Sequence, residues 1–458
     1  MKYHTVFLII FSAALQAPIL FGQKSQVLES YITEGLSKNL QIKQQQLNLQ
    51  KAQENIRQSK ALFYPKLSFE ANYTLAAGGR NIQFPIGDLF NPVYENLNAI
   101  NAVIAPGSLL YPELKNQEIN FLPNNFQETK VQFSYPIYNT DLKYNRQIQD
   151  MLYQSEAAKK MALENEIRHE IEVAYIQYLQ ALEAEGIWQS TKTVLVELKR
   201  FNESLVKNNV ATRDVVITAE YELSKTEQEI HKLANLQNSA KSYFNYLIFK
   251  DLQSEIKIDT GLLKALVPNY NLMELIQMSP EKRKEFEAIR SGINASALDI
   301  KRNEANLKRP DIYLGGETGF QGFGYHLLDN QAFVLARVGL TYDLYDAGQR
   351  KIKTQQARIE QEKINTQFDQ VKQQVALQIT NNWNELETAR NGLKASQFGI
   401  NATEETFRIV NNKYRAGQVL LLEWLNAQNR VTIARLQHLI NQSDILVKES
   451  MLLKASGL

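Results

Sequence analysis

The sequence predicts a mostly α-helical fold with a small β part: long coiled-coil helices, plus four amphipathic strands per chain, which, if they are membrane strands, form a β-barrel that only assembly can complete. Three observations carry this expectation. Two tracts are nearly free of helix breakers, each tract follows a pair of strand-like alternations, and the same order of segments recurs in both halves of the 458 residues.

The helical tracts run from Ile137 to Ala211, with no proline and Gly186 as the one glycine, and through the region after Pro310, with no proline to Leu458. In the second, Ile364, Phe368, Val371, Val375, Ile379, Trp383, Leu386 and Leu393 recur at steps of three and four, which is one helix face. A helix of roughly 65 residues would be about 100 Å long. Such length suggests a coiled coil, and Ala, Gln, Asn and Thr between the apolar positions suit a bundle wet on one side.

The strands come next. Leu67, Phe69, Ala71, Tyr73 and Leu75 alternate with Lys66, Ser68, Glu70, Asn72 and Thr74, and Val131, Phe133, Tyr135 and Ile137 alternate with Gln132 and Ser134. In the second half Ala332, Val334, Ala336, Val338, Leu340, Tyr342 and Leu344 hold one face, and a Gly-rich strand is expected at about Pro310 to Phe323. One apolar face per strand suits either a soluble two-sheet domain or a barrel with lipid outside and water inside.

The halves match in order. Tyr64-Pro65-Lys66-Leu67 corresponds to Arg309-Pro310-Asp311-Ile312, and Tyr135-Pro136-Ile137-Tyr138-Asn139 to Tyr342-Asp343-Leu344-Tyr345-Asp346. Helix breaks at Lys207 to Arg213 and Tyr414 to Gln418 each introduce a further helix. The expected layout is a signal peptide at 1–22, a first repeat at 23–255, a linker at 256–284 and a second repeat at 285–458. The first hairpin connection, about 77–127, is read as one long loop, with five prolines at 85, 92, 106, 112 and 123.

Lys2 and His4 before the apolar run Val6 to Leu15 read as an export signal, too short for a spanning helix. With no other comparable run, membrane residence is expected through a β-barrel. A net charge of +2 argues against a nucleic-acid partner, and the absence of cysteine removes disulfides, thiolate metal sites and a lipid anchor on cysteine. No enzyme, cofactor or metal is expected. The five histidines lack ligand spacing, and Gly319 to Gly324 lies in strand sequence rather than ahead of a helix. Four strands cannot close a barrel in lipid, so the chain must assemble; two copies would give a narrow, filled barrel and three an open one.

Tyr414-Arg415-Ala416-Gly417, followed by Glu423-Trp424-Leu425 and Ala427-Gln428, resembles the periplasmic tip motif of the TolC-type outer-membrane efflux proteins. Leu344-Tyr345-Asp346-Ala347-Gly348-Gln349-Arg350 is similar to that family's strand-to-helix junction, and Tyr64-Pro65-Lys66-Leu67 and Arg309-Pro310 to its strand starts. The resemblance covers nearly all of the chain after the signal. It implies a homotrimer in the outer membrane of a Gram-negative bacterium, in contact with outer-membrane lipid and extended into the periplasm. It also implies a periplasmic adaptor protein, an inner-membrane pump driven by protons or ATP, and export of drugs, metals or other compounds, or of polypeptides by type I secretion.

Carried over residue by residue, the resemblance implies a periplasmic gate at Tyr414, Asp214, Glu423 and Asn426, with Asp214 matching the partner of Tyr414. The family's second acidic position is Asn426 here and its basic gate residue is Val419, for which Arg213 or Arg415 are the candidate replacements. Adaptor docking would fall on Asn208, Asn209, Val210, Ala211, Ala416, Gly417 and Gln418. Gly417 is expected to turn the backbone with positive φ, with Asn208 as its counterpart. A periplasmic coiled-coil adaptor is the competing function, but it would need a lipoyl-like β-domain between its helices.

Overall fold

The computed structural model describes residues 25–122, 124–259, 261–326 and 330–458, so the expected signal peptide lies outside the described residues. Helices α1 (Gln26–Lys38) and α2 (Leu40–Ala61) lead to strand β1 (Lys66–Thr74). Strand β2 (Asn81–Phe84), helix α3 (Ile86–Ile104) and strand β3 (Gln117–Asn120) fill the connection to β4 (Phe126–Tyr138). The chain continues through α4 (Thr140–Lys207), α5 (Asp214–Leu247), a 3-10 turn (Leu262–Lys264), α6 (Leu272–Lys282) and α7 (Lys284–Asn306). It ends with β5 (Asp311–Phe323), β6 (Ala332–Thr341), α8 (Gln349–Arg415) and α9 (Leu421–Ser456). The two long helices have 68 and 67 residues, and the helices that follow them 34 and 36. Among the described residues no helix is long and apolar enough to cross a membrane.

Two of the expected segments differ. The 77–127 connection is not a plain loop: β2 and β3 pair antiparallel from Asn81↔Asn120 to Phe84↔Gln117, with α3 between them. The five prolines masked a helix, because Pro85 sits at its N-cap and Pro92 early in its course. Strand β6 stops at Thr341 rather than reaching Leu344. Asp346 ends the extended run by bonding forward, accepting from the Gly348 and Arg350 amides at 3.0 Å each, while Ala347 and Gly348 take φ of 52° and 81°.

The described chain forms two compact units, each drawn from both halves of the sequence. The helical unit takes residues up to Gln53, Met151–Ala295 and Glu360–Leu458. Its main core holds Ile32, Ile171, Tyr175, Phe244, Phe286, Ile379, Leu386 and Leu452, all fully buried. Val375, Ile379 and Leu386 of the expected α8 stripe are buried, and Phe368, Val371, Trp383 and Leu393 pack against them. Period-three-and-four spacing put these side chains on the packed face. The segment after α5 is fastened by side chains rather than by its own core. Tyr31 accepts from the Lys257 amide (2.8 Å), Tyr175 donates to the Lys257 carbonyl (2.8 Å), Trp383 donates to the Tyr270 carbonyl (3.0 Å) and Arg390 donates to the Val267 carbonyl (3.0 Å).

The strand unit, Glu54–Asp150 with Ser296–Ile359, contains a four-stranded antiparallel sheet in the order β1-β4-β5-β6. Register aligns Phe69↔Val131, Val131↔Thr318 and Thr318↔Val334 across the sheet. One face therefore carries Leu67, Phe69, Val131, Phe133, Leu314, Val334 and Val338, and the other Glu70, Lys130, Gln132, Glu317 and Arg337. Lys130 lies 2.6 Å from Glu128 and 3.4 Å from Glu317, and Gln132 donates to Glu70 at 3.0 Å. Pro136 sits in β4 beyond the last pairing with β1, and the pairing with β5 skips Ile137. The glycines of β5 leave room for close approach: a Cβ on Gly319 would stand 2.1 Å from the Thr129 carbonyl oxygen.

Candidate functional site

The candidate site is the pair of turns that end α4 and α8. In the first, the Asn209 amide donates to the Val206 carbonyl (3.0 Å) and the Val210 amide to the Leu205 carbonyl (2.9 Å). In the second, the Gly417 amide donates to the Tyr414 carbonyl (3.0 Å) and the Gln418 amide to the Lys413 carbonyl (2.9 Å). Both are the same helix-terminating motif, with one left-handed residue satisfying the last carbonyls. That residue is Gly417 (φ 70°) in one turn and Asn209 (φ 58°) in the other. The expected counterpart Asn208 is thus one position off: it still lies helically, its amide bonded to the Ser204 carbonyl (3.1 Å).

Beneath the turns lies a small core of its own, made by Leu195, Leu198, Ala219, Tyr414 and Trp424. Phe201 meets Tyr414 edge-on with centroids 5.9 Å apart, and Phe407 meets Trp424 in the same manner at 5.3 Å. Trp424 donates from its indole nitrogen to Asn411 at 2.9 Å. The Tyr414 hydroxyl donates to Asn202 Oδ1 at 2.8 Å, and Asn202 in turn donates to the Val215 carbonyl at 3.1 Å. Burial pushes the Tyr414 hydroxyl above the usual phenol range, so it stays protonated and able to donate.

Within the chain the Tyr414 partner is therefore Asn202, not Asp214. Asp214 is exposed, opens α5 and accepts from the Thr212 hydroxyl. Its charge sits at a helix N-terminus, which favours an anion. Glu423 and Asn426 stand exposed one turn apart at the start of α9, so Glu423 has the same favourable position. Of the two candidate bases, Arg415 lies 5.9 Å over the Phe201 ring, while Arg213 is the exposed residue just ahead of α5. Val419 packs against the tip core. Asn208, Asn209, Val210, Ala416, Gly417 and Gln418 are exposed and Ala211 is half-buried.

Asn202 was the residue that sequence reasoning missed. Its signal was present: Leu195, Leu198, Asn202 and Leu205 share one helix face, and a polar residue in such a stripe needs a buried partner. The fully buried Asn202 has two.

At the other ends of the long helices the junctions are also alike. Asn139 accepts from the Leu142 amide at the start of α4 (2.9 Å), as Asp346 does from the Arg350 amide at the start of α8. Arg350 also closes on Asp346 through its side chain (2.7 Å) and reaches the Asn306 carbonyl (3.2 Å), which holds the Asp346 carboxyl below the usual carboxylate range.

Residues 275–458 match the family described as outer membrane efflux protein. Outer membrane efflux protein BepC of Brucella suis biovar 1 (strain 1330) is 28% identical over 172 residues, which is 37% of this chain and 37% of BepC. The matched stretch is thus little more than a third of that relative's length. The solved outer-membrane channel OprN superposes with a TM-score of 0.73 at 15% identity, covering 94% of this chain and 90% of that one. The outer membrane protein VceC from Vibrio cholerae gives 0.71 at 16%, covering 94% and 96%. These likenesses place the fold of nearly the whole chain among the TolC-like outer-membrane channels. Through residues 275–458, the chain is similar to the outer membrane efflux protein family.

Proposed function

We propose that the protein is the outer-membrane channel subunit of an efflux or type I secretion assembly, working as a homotrimer. The observation that carries this reading is the sheet. One face is apolar across all four strands and the other holds Glu70, Lys130, Gln132, Glu317 and Arg337, while among the described residues β1 and β6 each keep an unpaired outer edge. A sheet so divided suits lipid on one side and water on the other, and in lipid its edges must find partners. Edge-to-edge closure of three chains would give a barrel of twelve strands, wide enough for an aqueous lumen.

On this reading the paired turns at Asn209 and Gly417 meet a periplasmic adaptor, which links the channel to an inner-membrane pump driven by protons or ATP. Val210 and Leu420 support it, since both are large apolar side chains left exposed beside these turns. The gate would be built on the Tyr414–Asn202 bond, with Glu423 of three chains forming one carboxylate ring and Asn426 a neutral one. The cargo is then a small toxic compound, such as a drug or a metal ion, or an exported polypeptide.

The test is direct. The full chain should fractionate with the outer membrane, need detergent for extraction, have the mass of three subunits and conduct ions in planar bilayers. A soluble periplasmic monomer would rule the reading out.

A further inference from the structure

Helix α3 presents a face that nothing among the described residues covers. Leu89, Phe90, Val93, Leu97, Ile100, Val103 and Ile104 recur along it at steps of three and four, and all are exposed, Val103 by 81%. The opposite side is fixed. Asn91 exchanges bonds with Leu114 (2.8 and 2.9 Å), Asn98 with Tyr111 (2.7 and 3.0 Å), and Tyr94 stacks on Tyr111. The helix is thus held in one rotation, apolar side outward. A contiguous apolar stripe of this size marks an interaction surface.

From this we infer that α3 is a second subunit–subunit interface, in which its apolar stripe seats on the same stripe of the neighbouring copies of this chain; the inference rests on the homotrimeric channel reading. Two observations select that occupant. Helices that lie on a lipid surface carry Lys or Arg on the polar side to meet anionic headgroups. The charges of α3 are Asp88 and Glu95, both acidic, on the side away from the stripe, so a lipid surface is the wrong partner. The stripe itself carries no charge, which lets it meet an identical stripe without like-charge repulsion. The second observation is position. The hairpin bearing α3 leaves from β1, an outer strand of the four, whose free edge is the place where a neighbouring copy must pair. The helix is therefore carried on a strand at the subunit boundary, from which the stripes of three copies can converge on the threefold axis beyond the sheet.

The chain has no cysteine, so one introduced cysteine reports without background. In the full-length protein in isolated outer membranes, Val93→Cys, Leu97→Cys, Ile100→Cys and Ile104→Cys are treated with bismaleimidoethane. Glu95→Cys, on the charged side, is the control. The expected result is covalent dimers from at least one stripe position, none from Glu95→Cys, and labelling of the stripe positions by a membrane-impermeant maleimide an order of magnitude slower than at Glu95→Cys. The mass of the detergent-extracted particle is measured in parallel. A trimeric particle whose stripe cysteines label as fast as Glu95→Cys overturns the interface and leaves the channel reading standing. So does a trimer whose stripe is shielded yet never cross-links, because lipid would then cover it. A monomeric particle overturns both.

Discussion

Replacing Tyr414 by Phe tests the tip most sharply, because it removes one hydroxyl and leaves the ring packing against Phe201 and Trp424 in place. The Asn202 side chain is fully buried, and its Oδ1 accepts from that hydroxyl at 2.8 Å. Without the donor this oxygen is left desolvated and unpaired, at a cost of about 1–3 kcal/mol. Since about 1.4 kcal/mol is a factor of ten in an equilibrium, local opening of the tip helices should become roughly five- to a hundredfold more frequent. Hydrogen exchange of the α4 and α8 amides within the last turns reads this directly, with amides around Ile171 and Ile379 as unaffected controls. Pairing Tyr414→Phe with Asn202→Ala completes the argument. The two groups share one bond, so their effects should fall short of additive by about 1 kcal/mol or more. Unchanged protection at the tip, or strictly additive effects, would refute the assignment of this bond as the latch between the two helical hairpins.

Other expectations can be measured alongside. Gly417→Ala should cost about 1–2 kcal/mol in local stability because its φ of 70° is left-handed, whereas Asn209→Gly should be neutral or slightly stabilising in the same exchange experiment. Asn139→Ala should weaken the start of α4 by about 1 kcal/mol, seen as faster exchange at the Leu142 amide alone. Glu423→Gln should lower cation selectivity in planar bilayers, and an unchanged reversal potential would remove Glu423 from the constriction. Burial and nearby Lys454 hold the His169 imidazole below the ordinary histidine range, where its Nδ1 faces the Ser450 hydroxyl at 2.8 Å. A depressed histidine pKa means the unfolded chain takes up the proton first. The stability it contributes is therefore present above pH ~6.5 and lost as pH falls through the folded value. Burial depresses His438 in the same direction. Thermal midpoints should fall between pH 7 and pH 5, and His169→Gln should flatten that slope.

The long helices and the sheet were legible in the sequence because period carries them. Ile379 and Leu386 sit on a stripe that a period near 3.6 predicts, and Phe69 and Val131 on an alternation of two. The long helices and four sheet strands follow from those periods, with ends shifted only where a side chain intervenes, as Asp346 does after β6. Helix α3 was hidden for the opposite reason: prolines and asparagines read as loop punctuation when neighbouring turns are scanned, although Pro85 and Pro92 occupy its beginning. At the tip, Gly417 was predictable from its lack of a Cβ, and its counterpart was misplaced by one residue because Asn208 and Asn209 are chemically identical neighbours. The Tyr414–Asn202 bond was beyond reach, since it joins residues 212 positions apart and no local pattern encodes such a meeting.

The alternating sheet has a consequence for how such a chain can change over time. From Asp311 to Phe323 every second side chain belongs to the apolar face, so one inserted residue would exchange the two faces for the rest of the strand. Substitution is tolerated along the strands far better than insertion or deletion, except at the Ile137 irregularity, where a residue is already out of step. Length must then be gained where phase is free, at the turns. The elaboration between β1 and β4, with its own strand pair and helix, is such a place, and lineages of this protein should differ there in length while their strands keep a constant count.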